Sequence, residues 1–254
     1  GGSEDVECLK KERNSYKSNH KRDHLVVHAS ALCAARMLAL SFALYFIIFH
    51  CVVLKLYDLC VSIACMIRRI VLASTSPRRI EILKKAGINF EVVAPHYEED
   101  MTLDLKPEEL AKHLAQGKAK SVSDKYPDAI IISADTIVLL GGKIYGKPIT
   151  PARAKEMLSE LSGNMHEVIT GFALLDTKTK KIVIGSDTTK VYFKNLSARE
   201  IDEYVSTGEP LDKAAAYAIQ SNGKSFIEKY EGDYLTILGL PISKILESIR
   251  EISL

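Results

Sequence analysis

Short apolar runs alternate with longer amphipathic stretches from about residue 66 to the end of the chain. The apolar runs have the length and residue types of strands; they are IRRIVLAS, INFEVVAP, DAIIISAD, HEVITGFALLD and KIVIGSDTTKVYFKNL. The amphipathic stretches repeat their apolar residues with a helical period; they are PRRIEILKKAG, PEELAKHLAQGKAKSVSDKY, TPARAKEMLSELSG, SAREIDEYVSTG and PISKILESIREIS. This alternation predicts an α/β fold with a mixed, twisted sheet and flanking helices.

Local signals add detail to this pattern. The Gly-Gly pair in LLGGKIYGKP predicts a hairpin, and therefore some antiparallel pairing. Thr150 and Ser197 stand where helix N-caps are expected, and Gly87 stands where a helix should end. The alanine-rich segment DKAAAYAI, residues 212–219, predicts a further helix.

The first 65 residues do not match this body. All five cysteines precede Met66, and residues 37–54, MLALSFALYFIIFHCVVL, form an apolar run long enough for a transmembrane helix. Six Lys/Arg side chains precede that run within residues 1–28, which favours a cytoplasmic N-terminus if the run is an anchor. Two interpretations stay open for residues 1–65: a membrane anchor, or a non-native leader that is irrelevant to the fold. Residues 66–254 are predicted to be the functional domain.

The charge of the body excludes one class of partner. Residues 1–65 hold 8 Lys/Arg and 6 Asp/Glu, so residues 66–254 hold 26 of each and are formally neutral. A broad nucleic-acid surface normally appears as a basic excess. The sequence therefore predicts no nucleic-acid partner.

The start of the first predicted helix is unusual in its charge. Ser76 is a good N-cap and Pro77 suits the first helical position, yet Arg78 and Arg79 follow at the end that is already positive. Exposed N–H groups and two guanidinium groups together would bind a phosphate. The alternative is that both arginines are solvated.

Several other side chains are candidates for chemistry. The run IIISAD places Asp135 at the predicted tip of a buried strand, where it would hold a divalent cation or orient a water, unless it only forms a turn. Lys118, Lys147 and Lys213 lie among small residues, although single lysines are usually solvated. The carboxylates of HYEED, residues 96–100, would suit Mg²⁺ or Mn²⁺, or belong to a solvated loop.

Six ordered motifs carry a family resemblance. They are LASTSPRR, SADTIV, YGKPIT, LSGNMHEVITG, GEPLDKAAAYAIQ and EGDYLTILGLP. Over residues 66–254 the chain resembles the Maf family of nucleoside triphosphate pyrophosphatases, whose fold is similar to that of inosine triphosphate pyrophosphatases. The resemblance implies hydrolysis between the α and β phosphates, with a divalent metal cation as cofactor.

The resemblance also implies roles for individual residues. Asp135 matches the family's proton acceptor, and Glu98 falls where a metal-side carboxylate is expected. Arg78, Thr136 and Gln220 match positions linked to base selectivity, in the combination of the dTTP/UTP branch. The positions where phosphate contacts are expected are Ser74, Ser76, Arg79, Lys118, Lys147 and Lys213.

One departure from the family pattern affects base preference. The family usually reads GAYGIQG, whereas this chain reads AAYAIQS, with Ala215, Ala218 and Ser221 in place of glycines. A preference for another base, such as 7-methyl-GTP, is therefore an alternative, as is a non-catalytic nucleotide-binding regulator of cell division. The resemblance further implies a cytoplasmic protein, membrane-tethered if residues 1–65 are a real anchor, and a homodimer. His166, in GNMHEV, has no obvious partner and is interpreted as a strand-start residue.

Overall fold

The computed structural model describes residues 68–253, which form one sheet with helices on both faces. The apolar segment 37–54 and the predicted domain boundary at residues 65 and 66 lie outside the described residues and stay predictions. Within residues 68–253, no helix combines the length and the hydrophobicity that crossing a membrane requires.

Seven strands make up the sheet in this described part of the chain. Strand β1 pairs in parallel with β2 and β3, whereas all other pairs are antiparallel, which confirms the predicted mixed sheet. The strand order is β2-β1-β3-β5-β6-β7, and β4 pairs with one end of β3. The strands are β1 Arg69–Ala73, β2 Glu91–Val93, β3 Ala129–Leu140, β4 Lys143–Tyr145, β5 Met165–Asp176, β6 Ile182–Phe193 and β7 Ile227–Glu231.

The helices begin where the local signals predict. Thr150 accepts a hydrogen bond from the Arg153 N–H, and Ser197 forms a reciprocal capping box with Glu200. Three helices begin with proline, whose fixed φ suits the first helical position. The helices are α1 Pro77–Lys85, α2 Pro107–Ser123, α3 Pro151–Leu161, α4 Ala198–Ser206, α5 Tyr234–Leu238 and α6 Ile242–Ser253.

The central strand β3 is buried on both faces because its side chains point alternately to two layers of helix. Ile131 packs with Ala115 and Ala119 of α2. Ile130 and Ile132 point the other way, into a cluster that contains residues of α1 and α6. These three consecutive isoleucines have no exposed surface, which explains the uninterrupted apolar run in the sequence.

Two separate groups of helices cover the face opposite α2. Helices α1, α5 and α6 pack beside Ile132. Helices α3 and α4 pack further along the same long strands, beside Val138 and Val168. Thr136 of β3 and Thr170 of β5, which are register partners, lie between these two groups. A crevice therefore opens on this face at the middle of β3.

Two predictions about secondary structure are wrong. Asp135 lies within β3 and not at its tip, because β3 continues to Leu140 by pairing with β5. Residues 212–219 do not form an α-helix. They begin at the last residue of the short 3₁₀ turn Glu209–Asp212 and contain a second 3₁₀ turn, Ala214–Ala216. Ala215 has φ = +53° and Ala216 has φ = +62°, values that a right-handed helix does not allow.

Candidate active site

A gap in the hydrogen bonding along one edge of β3 forms the floor of the site. Strand β1 pairs with Ala129–Ile132 and β4 pairs with Val138–Leu140 on the same edge, because β5 occupies the opposite edge. Residues 133–137 therefore have no strand partner on that edge among the strands described. A cavity of about 760 Å³ opens at this gap, which is large enough for a nucleotide-sized ligand.

Most of the predicted site residues line this cavity, although they come from five separate parts of the chain. Glu98 and Glu99 are both exposed, but only Glu99 lies on the cavity wall. The predicted residues that line the cavity are Ser74, Ser76, Arg78, Arg79, Lys118, Asp135, Thr136, Lys147, Lys213 and Gln220.

A lysine between two carboxylates lies at the side of the cavity that faces α2. The Lys118 Nζ donates a hydrogen bond to Asp135 and another, of 2.7 Å, to Glu99. Burial raises the pKa of Asp135 above its ordinary value, and the positive charges of Lys118 and Arg79 oppose that rise. Burial also acts to raise the pKa of Glu99, but the hydrogen bond and charge of Lys118, together with the charges of Lys147 and Arg79, outweigh it, so the pKa of Glu99 is lowered.

Helix α2 lies close to Asp135 because the sheet position beside that residue, beneath α2, is a glycine without a side chain. Gly171 is the register partner of Asp135 on β5. A Cβ at Gly171 would lie 2.2 Å from the carbonyl carbon of Ala111 in α2. The glycine therefore allows the backbone of α2 to rest directly on the sheet, which brings Lys118 within reach of Asp135.

The two carboxylates suit a hard divalent cation whose other ligands come from a bound phosphate and water. Mg²⁺ is commonly held by one or two carboxylates together with substrate phosphates. Asp135 and Glu99 supply such oxygens, and they already share one positive group, Lys118. Within residues 68–253 no cluster of three or more His, Cys, Asp or Glu side chains forms a closed metal cage. The donor set therefore fits a cation that binds with its substrate.

The two arginines at the start of α1 have different environments. Arg79 donates to the Gly239 carbonyl at 2.8 Å, to Ser74 Oγ at 3.3 Å and to Thr136 Oγ1 at 3.1 Å. Arg78 lines the cavity and has no hydrogen-bond partner among the residues described. Burial lowers the pKa of Arg78, although Asp212 acts in the opposite direction.

The first turn of α1 also has backbone N–H groups that no N-cap side chain occupies. Ser76 occupies the N-cap position, but its hydroxyl accepts no hydrogen bond from the helix. The first N–H groups of the helix thus have no side-chain cap, and the residues that carry them line the cavity. Arg78 and this helix start lie together on the cavity wall, an arrangement that suits an anion.

Sequence reasoning missed Glu99 and Tyr217 of the cavity wall. The charge run at residues 98–100 pointed to a carboxylate but contained no signal that selects one member of the run. Tyr217 lines the cavity, and its hydroxyl lies 2.7 Å from the Nε2 atom of His166. His166 therefore has a partner that was not obvious in the sequence, and it lies at the start of β5, as predicted. Burial lowers the pKa of His166 to about 4.

A mixed sheet with helices on both faces, an uncapped helix start and a buried carboxylate on one cavity wall define an α/β protein whose site suits a phosphorylated ligand. More particularly, this chain belongs to the family of Maf-like proteins, whose model matches residues 69–252.

Curated relatives align with most of their own length. A protein of Alkaliphilus oremlandii (strain OhILAs), named dTTP/UTP pyrophosphatase, is 48% identical over 179 residues, covering 70% of this chain and 93% of its own. Proteins with the same name from Geobacillus sp. (strain WCH70) and Citrifermentans bemidjiense are 40% and 45% identical and are covered to 98% and 95%. The structure of the Staphylococcus aureus Ham1 protein aligns with 73% of this chain and all of its own, at 12% identity and a TM-score of 0.45.

Proposed function

We propose that this protein hydrolyses nucleoside triphosphates, with dTTP and UTP preferred, to a nucleoside monophosphate and pyrophosphate. The observation that supports it most directly is the convergence of Asp135, Lys118, Glu99 and Arg78 on one cavity beside a helix start. The relatives named dTTP/UTP pyrophosphatase support the same reaction and the same bases.

The positively charged groups of the cavity bind the triphosphate. Arg78 and the first N–H groups of α1 bind one phosphate group, and Lys147 and Lys213 line the same cavity. Lys213 pairs with Asp212 at 2.5 Å, so a bound phosphate would compete with that aspartate for the ammonium group. Fixed cations around the reacting phosphorus lower the repulsion between its oxygens and an incoming water.

Asp135 is the proposed proton acceptor. The oxygen of a water molecule bonds to the α phosphorus, the bond from that phosphorus to the bridging oxygen breaks, and pyrophosphate leaves. Asp135 takes the proton of the water, a task for which a pKa raised by burial is suited because it brings the base closer to neutral pH.

We assign the metal-side carboxylate to Glu99 in place of Glu98, because Glu99 lies on the cavity wall and contacts the same lysine as Asp135. Glu99 and Asp135 would hold a divalent cation, which supplies positive charge to the phosphate oxygens when bound. Lys118 holds both carboxylates in place and balances their charge in the free protein.

We place the base beside Gln220 and Thr136, which line the same cavity. Arg78, which the family resemblance links to base selectivity, is assigned to the phosphate in this proposal because it lies at the start of α1. The amide of Gln220 both donates and accepts hydrogen bonds, which suits the O4/N3 edge of a pyrimidine. The proposal also includes a cytoplasmic location, where nucleoside triphosphates are abundant, and a homodimer.

Release of pyrophosphate from dTTP and UTP, with Mg²⁺ or Mn²⁺, tests the reaction. Asp135→Asn should lower kcat by at least about 100-fold, as the loss of an acid–base group does. Glu99→Gln should raise the metal concentration needed for half-maximal turnover, while the matched control Glu98→Gln should not. A wild-type protein that binds nucleotide with background turnover would instead indicate the non-catalytic regulator, and full activity of Asp135→Asn would refute the assigned base.

A further inference from the structure

A closed ring of hydrogen bonds lies at the cavity wall beside Thr136 and joins four elements of the fold. The guanidinium of Arg79 donates to Thr136 Oγ1 at 3.1 Å and to the Gly239 carbonyl at 2.8 Å. The Gly239 N–H donates to the Thr236 carbonyl at 3.0 Å, and Thr170 Oγ1 donates to the same carbonyl at 2.8 Å. A contact of 2.9 Å between Thr136 Oγ1 and Thr170 Oγ1 closes the ring.

The ring determines the direction of the bond between the two threonine hydroxyls. A hydroxyl group has one hydrogen to donate. The hydrogen of Thr170 is used by the Thr236 carbonyl, so Thr136 must donate its own hydrogen to Thr170. The Thr136 oxygen also accepts from Arg79, which leaves one lone pair and no hydrogen for a ligand.

This orientation limits what Thr136 can contact in the cavity. An acceptor without a free hydrogen repels phosphate oxygens and requires an N–H or O–H donor. Uracil and thymine carry such a donor at ring nitrogen N3, whereas cytosine has an unprotonated N3 that is itself an acceptor. A cytosine placed in the same way would bring two lone pairs together.

We propose that Thr170 is a positioning residue for base selection: it fixes the Thr136 hydroxyl as an acceptor, and so favours uracil and thymine nucleotides over cytosine nucleotides. This inference rests on the proposed function and deepens it. Thr170 is fully buried and acts only through Thr136, which lines the cavity. Substitution of Thr170 therefore changes the choice of base without removing a group that touches the nucleotide.

The test compares kcat/KM for UTP and CTP in the full chain carrying Thr170→Val or Thr170→Ser. Valine removes the acceptor for Thr136, whose hydrogen is then free to turn toward cytosine N3, and the UTP/CTP ratio should fall about 10-fold or more. Serine keeps the hydroxyl and should keep the wild-type ratio. The Thr236 carbonyl retains the Gly239 N–H as a donor in both variants, and a thermal unfolding curve checks folding. If the valine variant does not fold, Thr170→Ala serves the same comparison.

The outcomes separate this inference from the proposed reaction. A wild-type protein that releases no pyrophosphate from any triphosphate refutes the proposed function, and the inference with it. A wild-type protein that hydrolyses UTP and CTP equally well, or a folded Thr170→Val variant with the wild-type UTP/CTP ratio, overturns the inference alone. A change confined to the ratio of UTP to dUTP also overturns it, because Thr136 would then contact the sugar.

Discussion

Protonation of the buried side chain of His166 provides a quantitative test of the packing in its part of the core. The side chain is only 1% exposed, packs edge-on against Phe193 and Tyr217, and pairs through Nε2 with the Tyr217 hydroxyl. Its Nδ1 atom is buried without a hydrogen-bond partner in the described part of the chain. A positive charge in that place would lose its hydration and gain no counter-charge, which is why burial lowers the pKa from 6.5 to about 4.

The sign and size of the effect follow from proton binding. Between pH 6.5 and about 4 the unfolded chain binds a proton at His166 that the folded chain does not, so the free energy of unfolding falls as the pH falls. Each pH unit in that interval is worth about 1.4 kcal/mol, so the whole interval is worth about 3 kcal/mol. The contribution is complete above pH 6.5 and is lost progressively as the pH falls from there to the folded-state pKa of about 4.

Urea unfolding of the wild type and of His166→Gln at several pH values between 7 and 4.5 measures this effect. Glutamine does not titrate, and its amide oxygen is able to accept from the Tyr217 hydroxyl. The difference in unfolding free energy between the two proteins should therefore shrink as the pH falls, by most of about 3 kcal/mol. Other titrating groups, including Asp135, cancel in that difference. His113→Gln, at an exposed position, is the matched control and should follow the wild type. Parallel curves for the wild type and His166→Gln would refute the reasoning.

Three further predictions use the same structure. Ala215→Gly should lower the free energy of unfolding by less than about 0.5 kcal/mol, because glycine relieves the left-handed φ. Ala119→Gly, equally buried but helical, should lower it by about 1–2 kcal/mol. Equal losses in urea unfolding would contradict this prediction. Gly239→Ala should lower both stability and turnover, because the residue has φ = +98° and the added Cβ would lie 3.0 Å from Thr136 Oγ1. Gly87→Ala, with φ = +73° but open space around its Cβ, should lower stability alone, by about 1 kcal/mol. Undiminished turnover of Gly239→Ala would count against the hydrogen-bonded ring of Arg79, Thr136 and Thr170. Lys118→Met removes a positive charge that opposes the raised pKa of Asp135. The acidic limb of the pH profile of kcat/KM should therefore move to higher pH. A limb that does not move would argue against Asp135 as the base.

Much of the secondary structure was predictable because its signals are local. The proline at the start of α1, the capping box of Ser197 and Glu200, and the Gly-Gly hairpin each depend on residues within a few positions of one another. The predicted helix at residues 212–219 failed because a long-range contact prevails there. The Ala215 N–H donates to the Gly146 carbonyl at 2.9 Å, in a backbone conformation that helix propensity does not describe.

The candidate residues of the site were visible in the sequence through its motifs, but their grouping was not. The choice of Glu99 over Glu98 on the cavity wall depends on how a loop meets Lys118 of α2. The different environments of Arg78 and Arg79 depend on where Gly239 and Thr136 lie, far along the chain.

The amino-acid sequence by itself determined the α/β alternation, the starts of the helices, the family and the set of polar groups available for chemistry, because these depend on short-range pattern and residue type. Only the tertiary structure decided which edge of β3 stays open, which carboxylate faces the cavity, and in which direction the Thr136 hydroxyl donates its hydrogen. These features result from strand register and from contacts between residues that are tens of positions apart. No local periodicity encodes them, since each depends on how several elements pack together at once.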